Sequence, residues 1–188
     1  MKNVRHFRGL ALTSLASLGL FAVAPAFAAS NIDITAPYSV SNNLNFSVTI
    51  PQFLSFRVGT AGATVDLVDF VLTPAQVGTT TDIARTNNSG AAIPVQLVSN
   101  GGDVSIAAVG TGTGLVGGGN SIPWTEIDGT SSDNALFPVP AVGASVTLTA
   151  GATNVISRTA DWTFVYDNSN VVAATTYTGT VTYTATDL

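Results

Sequence analysis

Between Ile32 and Ile50 the side chains alternate with a period of two. The even positions read Ile32, Ile34, Ala36, Tyr38, Val40, Asn42, Leu44, Phe46, Val48 and Ile50, and the odd positions are all Asp, Thr, Pro, Ser or Asn. A helix would scatter this set around its axis. Extended backbone points successive side chains to opposite faces and so sorts it into one apolar and one wet face. Pro37 removes a ladder donor and Ser41-Asn42-Asn43 favours a turn, so the reading splits into a strand over 31–40 and a second over 44–50.

The same signature recurs along the chain. Phe53–Val58, Ile93–Val98, the alternating Val104, Ile106 and Ala108, and Val146–Leu148 read as strands, as do Trp162, Phe164 and Tyr166. Val65–Leu72 is a more fully apolar run interrupted by Asp66 and Asp69, and Ile122–Ile127 is a shorter candidate. From Tyr177 to Thr186 the odd positions (Tyr177, Gly179, Val181, Tyr183, Ala185) face one way and five threonines the other. The glycines between Gly110 and Gly119 mark a hairpin or loop tip; no Lys-Ser/Thr follows them to make a phosphate cradle. Pro74–Val77 is the one helical hint, about one turn long. The expected fold is all-β: a single antiparallel sandwich, immunoglobulin-like or jelly-roll-like, of about 8–10 short strands.

The N-terminus reads as an export signal. Lys2, Arg5 and Arg8 form a basic start, Leu10–Ala24 an apolar run too short to span a bilayer comfortably, and Ala26-Phe27-Ala28 a cleavage signal. The expectation is a signal peptide over 1–28, a secreted or bacterial cell-surface protein over 29–188, and no stable membrane insertion. A small outer-membrane barrel would suit the low charge and the Tyr-bearing strands. Many of the strands are shorter than the ~9–11 residues that a barrel span needs.

The chemistry beyond residue 28 is sparse. The only His, Lys and Met are His6, Lys2 and Met1, and the chain has no Cys. Nucleophilic Ser or Thr catalysis needs an adjacent base, and most transition-metal sites need imidazole or thiolate. Three of the six basic residues precede residue 29 and all eleven acids follow it, so residues 29–188 carry a formal charge of −8. Such a chain lacks the basic footprint of a nucleic-acid binder. These features point away from an enzyme and toward a structural or binding protein, with no catalytic residues assigned.

Carboxylates remain. Glu126, Asp128 and Asp133 cluster beside Trp124, paired acids with an aromatic platform of the kind a glycosidase site uses; the plainer reading is a polar loop closed by Asp128-Gly129 with Trp124 half in the core. Calcium is the one metal whose oxygen ligands this composition supplies, from Asp128, Asp133 and Asn134 or from Asp167, Asn168 and Asn170. Asx turns account for the same residues. No metal site is assigned.

Terminal strands raise the question of edges. Thr-rich, uncharged strands lack the Lys and Glu that usually block edge pairing. Residues 29–42 then have two readings: a strand within their own sheet, or a donor strand inserted into a neighbouring subunit through Ile32, Ile34, Tyr38 and Val40. Head-to-tail repetition of the second would build an open filament.

Trp162-Thr163-Phe164 and Tyr177-Thr178-Gly179-Thr180-Val181-Thr182-Tyr183-Thr184-Ala185 resemble the closing strands of WxL-type bacterial surface proteins. Tyr183 stands where that family's motif has Trp, so peptidoglycan binding is not carried over. The overall plan resembles small secreted pilin-like sandwich subunits. Both resemblances imply a non-enzymatic surface role, in cell-wall association or fibre formation. The expected partner is the protein itself or a related subunit. The alternative is a lectin-like module binding surface glycans through Trp124, Glu126 and Asp128, with calcium as its only candidate cofactor.

Overall fold

The computed structural model describes residues 31–62, 65–87 and 91–188; the expected leader and its cleavage point lie outside them. The chain divides into two units, Met1–Thr49 and Ile50–Leu188. The division falls at Thr49, not at residue 42 where the sequence ends its candidate extension.

The second unit is all-β, with ten strands among its described residues: β1 (Leu54–Val58), β2 (Ile83–Ala84), β3 (Ile93–Ser99), β4 (Val104–Gly110), β5 (Gly114–Gly117), β6 (Asn120–Pro123), β7 (Ile127–Ser131), β8 (Ser145–Leu148), β9 (Ile156–Tyr166) and β10 (Val181–Asp187). All pairings are antiparallel. One sheet has the order β1-β3-β9-β2, with β7 also on β9; the second has the order β10-β4-β8; β5 and β6 form a separate hairpin. Its tip is the Gly117–Asn120 pair, within the glycine-rich stretch.

Alternation explains the layering. Along β3 the buried residues are Ile93, Val95, Leu97 and Ser99, and along β4 they are Val104, Ile106 and Ala108. These rows from the two sheets meet Ile156, Ala160 and Trp162 of β9, Leu148 of β8 and Phe137 in one core, a sandwich-like arrangement. Trp162 is fully buried, edge-on to Phe137 at 5.9 Å and 5.2 Å from the ring of Tyr183. Its indole N–H donates to the Phe137 carbonyl at 3.4 Å. A second cluster gathers Ile83, Ile122 and Tyr166.

Several sequence expectations fail for identifiable reasons. Neither 31–40 nor 44–50 is a strand. In the first, the Asp33 carboxylate accepts the amides of Thr35 (2.9 Å) and Ser39 (3.1 Å), and the Asn31 amide donates to the Ser41 carbonyl, so local polar bonds close a loop where the pattern called for extension. Those backbone bonds hold the Asp33 carboxyl below its ordinary value. The second segment keeps its alternation without a ladder.

Val65–Leu72 is not a strand either. Its Leu67 carbonyl accepts from Arg85 and Asn87, and both the amide and the carbonyl of Asp69 bond to Asn87 or Thr86. Side-chain partners replace a ladder there, and the buried Arg85 guanidinium, which also donates to Ala91, is their anchor. Ile122–Ile127 is broken by a single 3-10 turn at Trp124–Glu126. Pro74–Gly78 forms a turn rather than a helix. The closing strand begins at Val181, four residues later than its alternation, while Thr178 makes only an isolated bridge to Val116.

Candidate functional site

The 3-10 turn carrying Trp124 and Glu126 opens with Pro123, whose fixed φ of −63° lets the chain leave β6 and tighten. The turn sends its two notable side chains to different places. The indole of Trp124 lies against Gly110 at the end of β4 and Gly179 ahead of β10. A methyl group on Gly110 would stand 2.5 Å from its Cε2, and one on Gly179 would stand 2.7 Å from its Cη2. Two glycines, one ending β4 and one just ahead of β10, thus leave room for the ring. The indole nitrogen is buried there without a hydrogen-bond partner.

Glu126 points the other way and is buried. Its carboxylate accepts the Ser169 amide at 3.0 Å, the Asn170 side-chain amide at 3.0 Å and the Ser169 hydroxyl. The Ser169 hydroxyl bond, ahead of the opposing effect of burial, holds its pKa below the ordinary value. The backbone reinforces the tie, since the Asp167 amide donates to the Glu126 carbonyl. Glu126 therefore clamps the turn after β9. Asp128 lies on the exposed face of β7, opposite Val165. Burial, and then the charges of Asp128, Asp82 and Glu126, raise the pKa of neighbouring Asp167.

The three residues proposed for glycan binding thus do not converge on one cavity. Trp124 edges an open depression of about 370 Å³ together with Val109, Pro123, Val142 and Gly143, and neither Glu126 nor Asp128 lines it. A larger depression of about 690 Å³ lies between the β5–β6 hairpin and Val171–Ala173.

Three of the candidate calcium ligands, Asn168, Asn170 and Asp133, are engaged locally. Asn168 is buried, donating to the Gln76 carbonyl at 2.6 Å and accepting the Gly78 amide. Asn170 serves Glu126, and Asp133 accepts the Leu136 amide in a turn. Among the described residues no group of three or more acids or histidines is placed to hold a metal ion. No helix among them is long and apolar enough to cross a membrane.

The unit Met1–Thr49 with the adjoining Ile50 presents a different surface. Ile32, Ile34, Tyr38, Val40, Leu44, Phe46, Val48 and Ile50 are each 50–85% exposed. The structure thus places the four residues named for strand donation in the open, but within or beside the loop closed by Asp33, and the unlooped apolar row is Leu44–Ile50. The period-two signal was equally strong in both halves; the Asp33 bonds, which separate them, left only a weak trace in the Asp-x-Thr spacing. No protein-family model, curated protein or solved structure matches this chain.

Proposed function

We propose that this is an exported, non-enzymatic surface protein with a structural role, whose N-terminal segment pairs as a β-strand with a neighbouring copy to build filaments or a matrix. One observation carries the reading: an apolar-alternating row of twenty residues, 31–50, is exposed and outside any strand, next to a domain with its own core. Apolar surface on that scale marks an interaction site, because leaving it in water is costly at ~25 cal/mol per Å². The alternation gives a strand one face to bury and the backbone a full set of donors and acceptors to share. The pilin-like resemblance points the same way.

The test compares the purified protein with a variant lacking residues 29–50 by electron microscopy and urea unfolding. The full protein is expected to form fibres. The variant should unfold cooperatively and remain dispersed, and fibres persisting in it would refute the assignment.

A further inference from the structure

The core of the second unit is closed unevenly. Val95, Leu97, Val104 and Ile106 on β3 and β4 are at most 2% exposed. The inward residues of the strands outside them are only half-buried: Leu54, Phe56 and Val58 on β1, and Val181, Tyr183 and Ala185 on β10. β1 and β10 are the outermost strands of the two different sheets. They are tied at one end, where Asp187 accepts the Ser99 hydroxyl at 3.0 Å and the Gln52 side-chain amide at 3.3 Å. From this tie β1 runs away toward Val58 while β10 arrives from Val181. The two free edges therefore border a seam with an apolar floor.

Resting on the assembly reading above, we propose that this seam accepts residues 44–50 of a second copy, which add a strand to the free edge of β10 and set Leu44, Phe46, Val48 and Ile50 over its half-buried row. Three observations select this pairing. The segment and β10 are both seven residues long and share one pattern, apolar inward and Ser, Thr or Asn outward, except that β10 ends on the inward Asp187. Between Val181 and Thr186 the β10 edge bears no charge, whereas β1 is shorter and exposes Arg57, a residue type that discourages edge pairing. Residues 51–53, the link between this segment and β1, are unavailable as a hairpin loop onto β1, because Asn100 donates to the Pro51 carbonyl at 2.9 Å and its side-chain oxygen accepts the Phe53 amide at 2.7 Å; a second copy as the occupant follows from the assembly reading. The loop closed by Asp33 excludes 31–40 from the same role.

The chain has no cysteine, so introduced pairs report only the intended contact. Full-length Ser47→Cys protein is mixed with Thr182→Cys, Thr184→Cys or Thr186→Cys protein under mild oxidation, with Ser145→Cys on the β8 edge and Ser55→Cys on β1 as comparisons; all five acceptor positions are on strand surfaces. Mixed disulfide dimers should form at least tenfold faster with one of the β10 positions than with Ser145→Cys or Ser55→Cys. Equal or faster capture at β8 or β1, or Thr184→Cys pairing with itself in preference to Ser47→Cys, would overturn the seam as acceptor. So would fibres in which no β10 position is captured, and in that case the assembly reading would survive. Absence of fibres from the unsubstituted protein would refute the assembly reading itself.

Discussion

The contact between Trp124 and its two glycines sets a sharp expectation for Gly110→Ala. Gly110 does not have a left-handed backbone, so alanine meets no conformational penalty there. What it meets is the indole, with Cε2 at 2.5 Å and Cδ1 at 2.9 Å from the new methyl, about an ångström inside a comfortable carbon–carbon separation of ~3.5–4.0 Å. The ring cannot withdraw toward β10, because Gly179 meets its other edge. Overpacking of this kind costs about 1–3 kcal/mol. For a domain of this size each kcal/mol moves Tm by ~2–4 °C, so the expected fall is about 2–12 °C. Urea unfolding followed by fluorescence, with calorimetry for Tm, measures it. In a Trp124→Ala background the clash is gone, and Gly110→Ala should be neutral or stabilising by up to ~1 kcal/mol through the unfolded chain. The cycle should therefore show a coupling of at least ~1 kcal/mol. An equal cost in both backgrounds would refute the view that these glycines exist to seat the ring.

The remaining expectations concern the Glu126 clamp and the exposed row. Because Glu126 titrates below its ordinary 4.5 in the folded protein, its stabilisation is complete above that value and is lost as pH falls through the lowered pKa. Glu126→Gln should lower the urea midpoint at pH 7 and flatten its decline below pH 4.5 relative to the unsubstituted protein; parallel pH profiles would show that the carboxylate does not hold Ser169 and Asn170. Phe46→Asp and Val48→Asp, on the exposed row, should change stability by no more than ~0.5 kcal/mol while abolishing fibres by electron microscopy. Fibres of normal yield from the double variant would remove Leu44–Ile50 from assembly.

Tyr183 shows how the structure joins these themes. Its ring lies tilted against Trp162 in the core, and burial pushes its phenol up to about 12, yet it sits on the edge strand β10. An edge strand whose inward residues reach the core but are not fully covered is the feature that makes the seam.

The alternation in β4, β9 and β10 was legible from the chain alone, because side chains at every second position of a strand face one side whatever the neighbours are. All-β architecture and the inward rows at Ile106 and Trp162 follow from that local geometry. The same rule misled at 31–40, as the apolar run did at 65–72. There Asp33, Arg85 and Asn87 took the backbone groups that a ladder would have used, and partners for hydrogen bonds are chosen in three dimensions. Sequence proximity likewise grouped Trp124, Glu126 and Asp128, but one tight turn sends the indole to two distant glycines and the carboxylate to Ser169. Periodicity determines which faces a segment has; only the tertiary structure decides what each face meets, because burial and hydrogen bonding are satisfied by residues far away along the chain.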